Sequence, residues 1–254
     1  MMKSFVRLWL FLALALPACM VRAADSDAIA LAGQQRMLSQ RIVKSWCQIG
    51  LNVLPELSKA QLDEAVRRFD SNLSALEPVA TSPEARTALA GLRSAWTPLR
   101  SAVAGVMRQE DAAQLDSRAE DVLMAAERLT RVLQAQATAP VGRWINLAAR
   151  QRMLSQRLVK IYMLQQWGAD SSALREESER VQNEFSGALA NMQQNADSPA
   201  LRGELDNLAL QWEWLHTVLV TEGAESFRLI MAEGGDAMLQ LADQITRLYQ
   251  QPAP

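Results

Sequence analysis

The chain of 254 residues repeats itself at a fixed spacing. Shifting the sequence by 116 positions aligns its two halves without a gap over nearly their whole length. From Ile29 to Lys44, 12 of 16 residues equal their partners at 145–160, and the seven letters QRMLSQR recur unchanged. Farther along, Phe69, Ser82, Trp96 and Thr130 match Phe185, Ser198, Trp212 and Thr246. Self-similarity at one spacing indicates tandem duplication, so the fold must accommodate one structural unit twice.

The residues of both halves favour helices. Ala, Leu, Gln, Glu and Arg dominate, whereas Gly (11), Pro (9), Phe (5) and Tyr (2) are few. Helix breakers divide each half into four segments. They are Pro55, 81–83, 109–116 and 139–142 in the first half, and 168–170, 197–199 and a predicted turn at Gly234–Gly235 in the second. Because short connections favour antiparallel neighbours, we predict an all-α protein. It would comprise two tandem up-down-up-down four-helix bundles, residues 25–139 and 140–254, related by pseudo-two-fold symmetry.

Residues 1–24 are typical of a signal peptide. Lys3 and Arg7 precede an apolar run at 8–16, and Val21-Arg22-Ala23 suits cleavage by signal peptidase. The run is shorter than the roughly 20 residues of a membrane span. We therefore predict a periplasmic protein that is not embedded in the membrane. A lipoprotein signal through 16–19 is the alternative.

Charge and cysteine usage exclude several classes of function. The predicted leader contains three of the 26 basic residues and none of the 28 acidic ones, which leaves a net charge of −5. No nucleic-acid partner is expected at this charge. Cys47 alone remains, so an internal disulfide is excluded and a cysteine metal site is disfavoured. His216 is the one histidine and no catalytic set accompanies it, so we expect a binding protein without cofactors rather than an enzyme.

The repeated motif carries two helical faces. At 100° per residue, one apolar stripe faces the helix's own bundle; it comprises Leu31, Leu38, Ile42, Trp46 and Ile49. A second arc, about 120° around, also contains apolar residues. It comprises Ile29, Gly33, Arg36, Gln40, Val43 and Cys47, and in the other copy Ile145, Ala149, Arg152, Gln156, Val159 and Met163. Apolar residues around a small Gly or Ala predict a second helix–helix contact with an arginine at its centre.

The two motif arginines should meet if a turn at 139–142 places the motif helices side by side. Guanidinium groups of Arg36 and Arg152 would then repel each other unless an anion lay between them. Their planar forks of donors suit a small oxyanion, with Gln40 and Gln156 on the same side. Two alternatives stay open: each arginine forms an interhelical salt bridge, or helix 4 runs on into the next helix and the bundles stack end to end.

The stretch AGQQRMLSQR at 32–41 and its copy at 148–157 resemble the signature of the PilJ-type sensor domain of type IV pilus chemotaxis transducers. They are also similar to the P-box of NarX-type nitrate/nitrite sensors. The resemblance implies four-helix bundles that pair through helix 1, with one nitrate held between two arginines. Those arginines match Arg36 and Arg152, the P-box glycine matches Gly33 and Ala149, and a later arginine matches Arg41 and Arg157. Leu31 and Leu147 replace a family lysine, which removes one positive charge per half.

Together these features predict a periplasmic sensor that recognises nitrate or nitrite between the motif helices. The binding residues would be Arg36, Arg152, Gly33, Ala149, Gln40 and Gln156. Because the sequence continues into no kinase or methyl-accepting output domain, we expect the signal to pass to a separate membrane receptor, sensor or transporter. The alternative is a ligand-free helical interaction module for a type IV pilus or chemotaxis component.

Overall fold

The chain folds into helices throughout the part that the structure describes. This computed structural model describes residues 3–136, 143–221 and 227–250, with side chains from residue 27 onward except that of residue 220. Within those ranges lie eight α-helices and one 3-10 turn at Gln109–Asp111. The helices are α1 (Lys3–Gly50), α2 (Pro55–Leu76), α3 (Pro83–Val103), α4 (Ala112–Gln136), α5 (Arg143–Gln166), α6 (Ser172–Gln194), α7 (Pro199–Val220) and α8 (Phe227–Gln250). The prediction of an all-α helical bundle is confirmed.

Equivalent local signals begin and end helices in the two halves. Ser82 and Ser198 cap α3 and α7, because each hydroxyl accepts the backbone N–H three residues on and a proline follows. Asn52 and Gly168 take the positive φ that turns the chain after α1 and α5. In each pair the members are 116 residues apart, so equivalent positions begin and end helices in both halves.

The two motif helices lie side by side at the centre of the molecule. Helices α1–α4 form a first half, helices α5–α8 form a second half, and α1 packs along α5 between them. The start of α5 reaches Arg36, which donates to Asn146 Oδ1 at 3.3 Å, and the ends meet where the rings of Trp46 and Trp167 are 4.8 Å apart. The helices are therefore parallel, and the end-to-end alternative is wrong. The predicted turn at 139–142, and with it the domain boundary, lies outside the described residues.

The predicted turn at Gly234–Gly235 is wrong, because both glycines lie inside α8 and are buried. A Cβ atom on Gly235 would come 2.2 Å from Cγ2 of Val159 on α5, and one on Gly234 would come 2.5 Å from Leu215 on α7. The two glycines therefore allow close packing between helices and do not form a turn. The lack of side chains lets α8 approach both neighbouring helices.

An aromatic pair fills the same place in each half. Rings of Phe69 and Trp96 stack at 4.0 Å, and those of Phe185 and Trp212 lie 4.7 Å apart. Each indole N–H donates to a polar side chain on the preceding helix, which satisfies the donor. Trp96 and Trp212 belong to the core, at 3% and 8% exposure.

The first helix includes the segment that the sequence assigns to a leader. Helix α1 runs through 3–24 without a break, and cleavage after residue 24 stays a prediction. Among the residues that the structure describes, no helix has both the length and the apolar character needed to cross a membrane.

Candidate functional site

Several polar letters of the motif hold the motif helices to their own halves. The amide nitrogens of Gln35 and Gln151 donate to a backbone carbonyl on α2 and α6, at 3.0 and 2.9 Å. Hydroxyls of Ser39 and Ser155 donate to the carbonyl three residues earlier, both at 2.9 Å. These four side chains are fully buried, and their hydrogen bonds offset part of the cost of burying them. The amide oxygens of Gln35 and Gln151 have no partner among the described residues. The identity of these letters in both copies therefore has a structural cause.

Each motif arginine forms a salt bridge within its own half. Nη1 of Arg36 lies 2.8 Å from Glu127 on α4, and Nη1 of Arg152 lies 3.0 Å from Asp243 on α8. The two carboxylates are also 116 residues apart. The prediction that this arginine pair requires an anion is wrong, because carboxylates already neutralise both guanidinium groups. The salt-bridge alternative is confirmed.

The two arginines nevertheless lie close enough to interact. Burial lowers the pKa of Arg152, Asp243 opposes this effect, and the charge of Arg36 adds to the lowering. Burial raises the pKa of Glu127, but Arg36, with Arg150 and Arg131, together lower it, so the net shift is downward. Arg36 is 2% exposed and Arg152 is 13% exposed, and Nε of Arg152 has no hydrogen-bond partner among the described residues. We call the contact between α1 and α5, with the charged side chains beside it, the seam. Arg36 and Arg152 in the seam are both paired with carboxylates.

The space beside Gly33 is used by Arg36. A Cβ atom on Gly33 would lie 3.2 Å from the Arg36 guanidinium, whose Nε donates to the Gly33 carbonyl at 3.4 Å. We expected the small residue to admit the neighbouring helix, and that expectation is wrong for Gly33. The matching Ala149 is half-buried. The glycine lets the arginine fold back toward Glu127.

The glutamines predicted to help bind a ligand are fully buried between helices. Nε2 of Gln156 donates to the Gly235 carbonyl on α8 at 3.1 Å. Nε2 of Gln40 lies 3.1 Å from the Ser39 hydroxyl, and the Gln40 amide also bonds to Glu120 on α4. Both Oε1 atoms have no hydrogen-bond partner within the described part of the chain. Their described hydrogen bonds connect helices and do not involve the two arginines.

Two lysines for which the sequence predicted no role cross between the halves. Lys44 on α1 is fully buried, and its Nζ lies 2.6 Å from Asp236 on α8. Lys160 on α5 is 1% exposed, and its Nζ lies 2.6 Å from both Asp116 and Glu120 on α4. Asp236 and Glu120 are 116 residues apart, so the two contacts are equivalent. Unlike the arginine pairs, these ion pairs join one half to the other.

Burial and pairing compete at the crossing lysines. Burial lowers the pKa of Lys44 to about 8, although Asp236 acts to raise it. Burial raises the pKa of Asp236, but the charge and hydrogen bond of Lys44, with Arg41 and Gln61, together lower it. The pKa of Glu120 is likewise lowered, because Lys160 and Arg157 outweigh its burial. A buried ion pair of this kind specifies geometry more than it adds stability.

The sequence did contain a signal for these lysines. Lys44 and Lys160 close the two matched stretches and lie four residues after Gln40 and Gln156, on the same side of each helix. An acidic residue also recurs at 120 and 236. Identity in both copies was the clue, but it does not show which acidic residue meets which lysine.

The described contacts of the seam connect helices to one another. No group of His, Cys, Asp or Glu in the described ranges could hold a metal ion. Cys47 is buried, and burial raises the pKa of its thiol, which makes it unreactive. One cavity lies between α2 and α3 and another at the end of α1, and neither is lined by Arg36 or Arg152. What the seam can do is hold α1 and α5 in one register.

A family model described as "Type IV pili methyl-accepting chemotaxis transducer N-term" (PilJ) matches residues 21–122. The match covers most of the first half, ends within α4, and includes the motif at 32–41. No curated protein and no solved structure matches this chain. The family match indicates a sensory or signalling module related to chemotaxis transducers.

Proposed function

We propose that this protein is a helical signalling module that contacts a type IV pilus or chemotaxis component and works without an anion between its motif arginines. The observation that carries this proposal is the neutralisation of both arginines by Glu127 and Asp243. The buried lysines Lys44 and Lys160 are also each bound to a carboxylate. The family match at 21–122 supports the signalling role.

The paired motif helices are the element through which a signal would pass. Helices α1 and α5 are parallel, and ion pairs couple each of them to the fourth helix of the opposite half. Small translations or rotations between packed helices are a common form of signalling motion, because packed interfaces have discrete arrangements. A partner that prefers one arrangement would shift the population toward it.

A helical partner fits the exposed surface of α7. Leu210 and Trp214 lie four residues apart on one face and are 67% and 47% exposed. An apolar pair at this spacing is what a partner helix buries. Ser94 and Pro98 occupy the matching positions of α3, so the apolar pair is confined to the second half.

A site-specific cross-linking experiment tests the proposal. A photoreactive amino acid at position 210 is expected to capture a chemotaxis transducer or pilus subunit in cells, identified by mass spectrometry. The same group at position 124, where Met124 on α4 is 62% exposed, is the matched control. No specific product at 210, or equal products at both positions, would contradict the proposal.

Nitrate or nitrite binding by Arg36, Arg152, Gly33, Ala149, Gln40 and Gln156 stays a prediction that calorimetry decides. Under the proposal, titration with either anion gives no binding heat, because both arginines are already paired. Saturable heat that disappears in the Arg36→Ala/Arg152→Ala double variant would restore the oxyanion sensor.

Export and duplication also belong to the proposal. The pattern of residues 1–24 supports a periplasmic location, which cell fractionation and N-terminal sequencing of the mature chain would test. The equivalent contacts 116 residues apart support a second copy of the matched domain in α5–α8. We further propose that the protein acts by binding rather than by catalysis.

A further inference from the structure

A half-open cavity lies where α1 ends beside the connection from α3 to α4. Its volume is about 310 Å³, within the range of small-molecule sites. We call it the Trp46 cavity. Its apolar wall includes Trp46, Ala102 and Leu115, and its charged rim includes Arg108, Asp111 and Arg118.

The wall contains a buried donor without an acceptor. Trp46 is 1% exposed, and its Nε1 has no hydrogen-bond partner in the described part of the protein. A buried indole N–H usually finds an acceptor, as those of Trp96 and Trp212 do. Such an unpaired donor forfeits its hydrogen bonds to water. A ligand that supplies an acceptor would give this indole N–H a hydrogen bond.

The rim contains a guanidinium group without a counter-charge. Arg118 is half-buried on α4, and no salt bridge or hydrogen bond joins it to another described residue. Arg108 is exposed and lies 3.8 Å from Glu110, and Asp111 is the acidic residue of the cavity. Because Glu110 is the counter-charge of Arg108, Arg118 is the guanidinium group that would attract an anion to the cavity.

We propose that the Trp46 cavity binds a small organic carboxylate with a short apolar or aromatic body. The carboxylate would pair with the planar guanidinium of Arg118 and accept the Trp46 indole N–H. The body would contact Ala102 and Leu115. A bare inorganic oxyanion would leave the apolar wall and most of the volume unfilled.

The second half does not have this set of residues. Tyr162, Gly234 and Phe227 occupy the positions that match Trp46, Arg118 and Asp111. An arginine could not replace Gly234 without movement, because even a Cβ atom there would lie 2.5 Å from Leu215. These lining residues therefore occur together only in the first half, and the equivalent positions of the second half do not form the same set.

The Trp46 cavity touches the junction between the halves. Next to its rim, Gln109 donates to the backbone carbonyl of Trp167 at 2.7 Å, and the Trp167 ring packs against Trp46. A bound carboxylate would therefore contact the end of the α1–α5 pair. Ligand binding does not depend on the protein partner proposed above, so either proposal can fail while the other holds.

Heteronuclear NMR of the indole N–H groups provides the test, with sodium benzoate, sodium hexanoate and sodium nitrate as probes. The Trp46 signal, assigned with Trp46→Phe, is expected to shift saturably with benzoate or hexanoate. Arg118→Gln is expected to weaken binding by about tenfold or more, the range for a charged hydrogen bond. Trp46→Phe keeps the aromatic body and is expected to weaken it several-fold, measured by calorimetry. Arg128→Gln, on an exposed part of the same helix, should bind as the wild type does.

Three results would overturn the proposal. They are no saturable shift with either carboxylate, an Arg118→Gln variant that binds as tightly as Arg128→Gln, and nitrate binding at least as tight as benzoate binding. Circular dichroism checks that each variant folds. If Trp46→Phe does not fold, Arg118→Gln and Arg128→Gln still decide the matter, because both side chains are at least partly exposed.

Discussion

The first and second halves each bury a lysine at the equivalent position, but in different surroundings. Lys44 meets a single carboxylate, Asp236, whose other oxygen accepts from Gln61 at 2.6 Å. Lys160 meets two carboxylates, Asp116 and Glu120. The two lysines lie 116 residues apart on the motif helices, while the charges around them differ. The comparison teaches that the shared motif fixes where the cations lie, and that residues far away in sequence fix how well they are neutralised.

Removing the carboxylates should give the largest contrast between the halves. Asp236→Ala leaves Lys44 buried without a carboxylate, and breaking such a pair costs about 3–5 kcal/mol. Glu120→Ala leaves Asp116 beside Lys160, so about 1.5–3 kcal/mol is expected, the range for one hydrogen bond to a charged group. Urea denaturation measures both. Equal losses would mean that Asp116 does not compensate.

The motif arginines provide the next contrast. Arg36→Ala removes bonds to Glu127 and Asn146 from a buried site, and about 1.5–3 kcal/mol of unfolding free energy should be lost. Arg152→Ala removes a contact with Asp243, which is 38% exposed, so solvent screening limits the loss to about 1 kcal/mol. Denaturant midpoints of the two variants test the order. A larger loss for Arg152→Ala would reverse our ranking of the two sites.

A smaller effect is expected where α8 packs against α5. Gly235→Ala places a Cβ atom against Val159, which overpacks the contact between α8 and α5. Alanine also favours the helix, but the overpacking costs more. The free energy of unfolding should therefore fall by about 1–2 kcal/mol. Gly187→Ala is the control, because nothing lies within 4 Å of its added Cβ atom on α6. That change should stabilise the protein by up to about 1 kcal/mol. Thermal melts compare the two, and a Gly235→Ala variant as stable as Gly187→Ala would refute the close contact.

A pH dependence that Lys44 introduces is expected for the first half. Because its pKa of about 8 in the folded protein is below the ordinary value of 10.5, the unfolded chain binds more protons between these values. The free energy of unfolding should therefore rise with pH in that window. Asp236 and Arg41 surround the ammonium group, and a Lys44→Met variant should lack the rise. NMR of isotope-labelled lysine side chains would show directly whether the Lys44 signal titrates near pH 8.

Helical periodicity predicted the architecture well. Serine and proline signals placed the starts of α3 and α7, and the apolar residues of the second arc predicted the contact of α1 with α5. Ile29, Val43 and Cys47 are indeed buried. These features follow from local propensity and from the spacing of 3.6 residues per turn, which a sequence displays directly.

The partners across the seam could not be predicted in the same way. Periodicity gives the face on which Arg36 or Lys44 lies, but the group it meets depends on the rotation and axial register of another helix. Glu127 and Asp236 are 91 and 192 positions away from them. The glycine pair in α8 was misread because a glycine that permits close packing has the same letter as a glycine that turns the chain.

The crossed ion pairs have a consequence for how the two halves came to be one polypeptide. Neither half supplies the counter-ion for its own buried lysine, but Glu120 of a second identical first half could meet Lys44 there. A fragment limited to α1–α4 should thus self-associate. In the whole chain, the covalent connection raises the effective concentration of the second half around the first, which favours pairing between the two different halves. Fusion of this kind frees each copy to acquire features that a symmetric homodimer would have to carry twice.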